Sequence, residues 1–151
     1  MATSTLIQFL ASGEAGDTSH RRQVETFIAG GTIAALDVVG SDASQTGADK
    51  ALYVTQAANV GTGNALAIGV ALNAASAGEA VRVVVAGYVA DVNCAGATIG
   101  AAGLPLSAGS TAAGEVEASA ASDTAGCFAV SLEAKSATTA NRVAIMVKKQ
   151  F

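Results

Sequence analysis

Residues 67–85 read AIGVALNAASAGEAVRVVV, and residues 127–145, sixty positions on, read CFAVSLEAKSATTANRVAI. Without a gap, eight of these 19 positions are identical: Val70/Val130, Leu72/Leu132, Ala74/Ala134, Ser76/Ser136, Ala77/Ala137, Ala80/Ala140, Arg82/Arg142 and Val83/Val143. Alanine matches come cheaply in a chain with 36 Ala, but Val, Leu, Arg and Val matches in one unbroken register do not. A second correspondence lies upstream, where residues 29–35, AGGTIAA, resemble residues 95–101, AGATIGA, at an offset of 66. The order is therefore the same in both halves. Two copies are too few for a solenoid, and duplication of a small β unit is the natural inference. The units run from about 29 to 87 and from 95 to 149, in a single β domain of residues 29–151. An N-terminal extended arm, residues 1–28, precedes them.

Strand signals are clearest inside the repeat. Val81, Val83, Val85, Gly87 and Val89 fall on one face, Arg82 and Tyr88 on the other. Val143, Ile145 and Val147 alternate with Arg142, Met146 and Lys148 in the same way. Such a period of two with β-branched residues predicts half-buried antiparallel strands. Ile68, Val70 and Leu72, with Phe128, Val130 and Leu132, form a second alternating pair. Elsewhere Gly and Ser punctuate the chain at Gly40-Ser41, Gly61, Gly63, Gly103, Gly109-Ser110 and Gly114, which are turn signals. The fold class predicted is mainly β, a compact barrel or sandwich built from two duplicated units.

Composition narrows the function. Of 151 residues, 51% are apolar, yet only four Phe and two Tyr are aromatic and there is no Trp. A core of Val, Ile, Leu and Ala buries little area per side chain, so burial against a partner would help such a chain. Charged residues make up 13%, with a net charge of −4 and no basic stripe, which disfavours nucleic acid as a partner. No apolar run approaches the length of a membrane-spanning helix, so no membrane partner is expected, and the N-terminus lacks the charged start of a signal peptide. Cys94 and Cys127 read as small buried thiols rather than a disulfide.

No catalytic constellation assembles. His20 is the single histidine, in a polar stretch of the arm, and one His with two distant Cys does not make a zinc site. Asp37, Asp42 and Asp49 lie around a turn-rich loop and are oxygen donors, but without the spacing of a calcium loop. Gly61-Thr62-Gly63-Asn64 lacks the Lys and third Gly of phosphate-binding loops. Glu115 and Glu117 share one strand face, without the aromatic platforms of a glycosidase cleft. The expectation is a protein that is not an enzyme, has no cofactor or metal, and works by contact. Its partner-binding residues are expected in the arm: the apolar Leu6, Ile7, Phe9 and Leu10, and the basic pair Arg21 and Arg22.

The run Gly69-Val70-Ala71-Leu72, then Ala77-Gly78-Glu79, then alternating valines closing at Gly87, resembles the signature of capsid cement, or head decoration, proteins of tailed bacteriophages. Residues 97–106, ATIGAAGLPL, are similar to that family's following turn and strand. The resemblance covers about residues 30–149 and leaves out the arm; the second copy departs from it, with Thr138-Thr139 where the first has Gly78-Glu79. It implies a virion structural protein, made in the host cytoplasm and placed on the capsid exterior. There it would clamp the major capsid protein lattice and associate with itself, commonly as a homotrimer. Other readings are a fibre or adhesin-like structural module, and a small carbohydrate-binding module.

Overall fold

The computed structural model describes residues 22–58, 67–94, 98–110, 112–119, 126–135 and 142–148. Among them are nine strands: β1 (Gln23–Ala29), β2 (Val38–Ser41), β3 (Tyr53–Gln56), β4 (Ala67–Ala71), β5 (Ala80–Asn93), β6 (Pro105–Ala108), β7 (Val116–Ala118), β8 (Ala129–Ser131) and β9 (Arg142–Val147). One short 3-10 helix, Gly47–Ala51, joins β2 to β3. The mainly β expectation holds.

The first five strands close on themselves in the order β1-β3-β2-β4-β5, with β1 returning to pair with β5. All these pairings are antiparallel except β1–β3, which is parallel. Closure removes the sheet edges that short strands would otherwise expose. Inside lie Val39, Val54, Val81, Val83 and Val85, all essentially inaccessible to water. Each buried Val contributes about 1.5–3 kcal/mol, so a barrel this small rests on many modest terms.

The second half repeats the plan with one economy. Strand β5 is fourteen residues long, and while its first half pairs with β1 and β4, residues 87–93 pair with β9. From β9 the order runs on through β8, β6 and β7. Cys94, just past β5, forms a parallel bridge to Val116 of β7, where the first unit has the parallel β1–β3 pair. The last strand of the first unit is thus also the first strand of the second. Strand β1 takes up residues 23–28, which the repeat boundary had left to the arm. Gly87, with φ of +106°, stands where β5 exchanges one set of neighbours for the next.

The backbone register identifies counterparts more finely than the sequence does. The bridge Ile33↔Ala75 reappears as Ile99↔Lys135, and the pair Val70↔Val84 as Val130↔Met146. The offset of 60 therefore holds from β4 to β8, then becomes 62 from β5 to β9. Arg142 matches Ala80 in register and Ala144 matches Arg82, because the connection after β8 is two residues longer. A slip of two preserves the face of every side chain, which is why the ungapped match looked continuous.

The two units form one packed body. Val38, Val70 and Val84, on the outer side of the first barrel, join a single apolar cluster with Leu106, Phe128 and Ile145 of the second. This explains why β4 is buried along its whole length, where the alternation had predicted one wet face. It also explains the unbroken run Val83-Val84-Val85, apolar toward the barrel interior on one face and toward the second unit on the other.

Candidate functional site

Three places carry more than ordinary packing: the joint between the barrels, a buried lysine–cysteine pair, and an apolar face on the second barrel. The joint is built on Asp37. Its carboxylate is almost wholly buried and accepts hydrogen bonds from the Ala34 amide (2.8 Å), the Gln56 side-chain amide (2.6 Å) and the Asn93 side-chain amide (2.7 Å). Asn93 lies at the end of β5, so one carboxylate ties the first unit to the second. Around it the backbone is shared: the Val38 N–H donates to the Gly114 carbonyl (2.7 Å) and the Gly114 N–H to the Ala57 carbonyl (2.8 Å). Gly114 has φ of +81°, and a Cβ there would meet the Asp37 carboxyl carbon at 2.9 Å, so both conformation and space call for glycine. Leu36 sits at φ of +71° where its counterpart is Gly103 at +85°. Its N–H donates to Ala71 and its carbonyl accepts from the Asn93 N–H, while its side chain packs on the shared cluster, and these hold an unfavourable backbone in place.

The other acidic candidates are used structurally. Asp42 turns back on its own loop, accepting from the Gln45 side chain (2.9 Å), the Ser44 hydroxyl (2.6 Å) and the Ser44 amide (3.0 Å). These donors, the Gln45 amide foremost, hold its carboxyl below the usual carboxylate range. Asp49 lies in the first turn of the 3-10 helix. Among the described residues no three acidic, Cys or His side chains gather as an ion would require. Glu115 and Glu117 flank the buried Val116 and are half-buried, and the Ser110 hydroxyl donates to Glu117 (2.9 Å). Neither Cys94 nor Cys127 is in a disulfide; the first is buried and the second half-buried.

Cys94 and Lys135 mark where the second barrel departs from the first. Their counterparts, Ala29 and Ala75, lie together in the core of the first barrel. In the second, the Lys135 ammonium is sealed from solvent and meets no oxygen acceptor among the described residues, while its charge and a contact to sulfur act on the Cys94 thiol. Burial pushes that thiol up, and the Lys135 charge offsets part of the rise. A desolvated ammonium whose neighbour is a thiol, a weak acceptor, is costly. Lys135→Met is therefore expected to raise stability by about 1–3 kcal/mol, read as a higher urea midpoint; a lower midpoint would show that the charge is needed.

Cys94 also gives the fold a pH dependence. The unfolded thiol ionises near pH 8.5, about its ordinary value, whereas the folded thiol stays protonated to higher pH. Above that pH the unfolded state binds fewer protons than the native state, so stability falls as pH rises. Cys94→Ala, which copies Ala29, is expected to flatten the decline between pH 8 and pH 10 in thermal melts. An unchanged slope would place the effect elsewhere.

The apolar face lies on the outside of the second barrel. Tyr88, Met146, Val130 and Pro105 stand directly opposite one another across β5, β9, β8 and β6. Met146 is 39% exposed, and Leu132, just beyond β8, is 42% exposed. The alternation had placed Met146 on this outer face. Of the arm residues expected to bind a partner, Leu6, Ile7, Phe9, Leu10 and Arg21 lie outside the described residues, as do His20 and the Gly61–Asn64 loop. Arg22 is half-buried immediately before β1.

No family model matches the chain, and no curated protein does. Among solved structures, the head fiber gp8.5 N base in bacteriophage phi29 superposes with a TM-score of 0.52 at 18% sequence identity. The match covers 85% of this chain and 95% of that one, so both barrels take part. What the two proteins share is the fold.

Proposed function

We propose that this chain is a structural protein of a tailed-phage virion that binds the head by surface contact, as a cement or decoration protein. The observation that carries this reading is the fold it shares, over nearly all of both chains, with a phage head fiber base. The Ala77-Gly78-Glu79 and valine signature of the first copy supports it independently of that fold. In this reading the partner is the major capsid protein on the capsid exterior, and copies associate into a homo-oligomer, for which a trimer is the expected size. The arm residues Leu6, Ile7, Phe9, Leu10, Arg21 and Arg22 supply the anchor: an apolar patch followed by a basic pair suits a groove with an acidic rim. No step in this action is covalent. Each site need contribute only a few kcal/mol, because many symmetry-related copies act together.

A second reading has a specific observation behind it, since the neighbour is the base of a fiber rather than a cement protein. As a fiber base, this chain would seat a longer appendage and occupy few sites per head. Sedimentation of purified protein with expanded, empty phage heads separates the two. Saturation at many copies per head, with a raised melting temperature of the shell, is the result expected for a cement. Saturation at a few copies without thermal protection would favour the fiber base, and no co-sedimentation would remove both. Deleting residues 1–21 is expected to abolish binding while leaving the circular dichroism spectrum of the barrels unchanged.

A further inference from the structure

We infer that the outer face of the second barrel, centred on Met146 and Leu132, is a self-association surface that receives the Leu52 end of the first barrel from a second copy of this chain. The internal duplication supplies the reason. In the first barrel the row Val24–Val84–Val70–Val38 crosses four strands in register, as Tyr88–Met146–Val130–Pro105 does in the second. Position by position the rows correspond, and Leu72 corresponds to Leu132. The first row is covered: Val84, Val70 and Val38 are fully buried, and Val24 and Leu72 pack on the same cluster, because the second barrel is seated on them. The second row has the same apolar character and nothing among the described residues seated on it in that way. Met146, where Val84 is fully buried, is 39% exposed, and Leu132, where Leu72 is partly buried, is 42% exposed.

The occupant follows from what covers the first row. The second barrel presents to it the turn that carries Gly114. Gly114 lies two residues before Val116, as Leu52 lies two residues before Val54, and Val116 and Val54 correspond through their pairings with Ala108 and Ser41. Leu52 is 51% exposed and, with Leu132 and Met146, completes the set of exposed large apolar side chains among the described residues. One contact between copies, of the same kind as the contact within each copy, covers all three. It differs in one respect. The Leu52 N–H is already given to Asp49 and its carbonyl to Ile28, so the contact between copies rests on side chains, without the backbone bonds that Gly114 makes. That makes it weaker than the joint and formed by concentration.

The contact is heterologous, since the surface on one copy differs from the surface on the next. This gives it a test that neither a row-on-row dimer nor shell binding can imitate. In analytical ultracentrifugation at high protein concentration the wild-type chain is expected to sediment above monomer mass. Met146→Glu and Leu52→Glu are each expected to reduce it to a monomer with unchanged circular dichroism, and Leu132→Glu provides an independent variant on the same face. Mixing M146E with L52E is expected to restore a dimer and nothing larger, because one intact surface of each kind remains. A wild-type chain that stays monomeric, an L52E chain that associates normally, or a mixture that stays monomeric would overturn the inference. The measurement contains no phage heads, so its failure is distinguishable from failure of the cement reading.

Discussion

Asp37→Ala is expected to lower the unfolding free energy by about 3–5 kcal/mol, the largest single effect at any side chain of the joint. The carboxylate accepts from three donors on three segments, and two of them, the Gln56 and Asn93 side-chain amides, come from β3 and β5. Removing it takes the shared acceptor from two half-buried amides and from the Ala34 N–H, at a carboxylate site nearly closed to water, which costs more than the bonds themselves contributed. Asp37→Asn keeps the volume but turns an NH2 group toward donors, and it too is expected to remain well below wild type. Urea unfolding followed by circular dichroism reads both. A loss under 1 kcal/mol for Asp37→Ala would show that the barrels are held together by the apolar cluster alone.

Gly69→Ala is expected to cost about 3 kcal/mol, although it adds a single methyl group. A Cβ at Gly69 would run into the Val84 carbonyl oxygen and stand 2.9 Å from Val83 Cγ1, so backbone must move in the pair β4–β5. The counterpart position in the second barrel is occupied by Ala129, paired with Leu106 as Gly69 is with Val39. The reverse change there, Ala129→Gly, loses only backbone entropy and a methyl contact and is expected to cost about 1 kcal/mol. The contrast between two matched sites separates close approach from any general preference for glycine. Equal costs at both would mean that β4 and β5 can separate freely.

How much of this was legible beforehand depends on which signal each feature left. The duplication left a strong one, because Val70/Val130 and Leu72/Leu132 keep both identity and face. The change of offset to 62 left none, since a two-residue slip lets Arg142 masquerade as the partner of Arg82. The shared strand was hidden for a similar reason. Nothing breaks the alternation between Val85 and Val89, and only the positive φ of Gly87 betrays the change of neighbours. Asp37 did leave a trace, as an acidic residue between Leu36 and Val38-Val39. It read as an oxygen donor because burial cannot be seen from one residue's neighbours along the chain. Leu36 at positive φ is invisible in sequence, because only the bonds to Ala71 and Asn93 make that conformation tolerable. The outer face was half legible: alternation put Met146 outside, but its meaning emerges only when Val84 is found covered.

The fourteen-residue β5 has a mechanical consequence. At about 3.3 Å per residue its contour is at most about 45 Å, and it passes through both barrels as one backbone, bent where Gly87 and Asp91 take positive φ and where a bulge interrupts its pairing with β9. A tandem protein with a flexible linker lets its second domain swing, and a pull on one end is absorbed by slack. Here a force applied to one barrel reaches the other through a continuous backbone clamped by β1 and β4 at one end and by β9 at the other. Rupture then requires shearing several hydrogen bonds at once, so load passes from one barrel to the other through paired backbone.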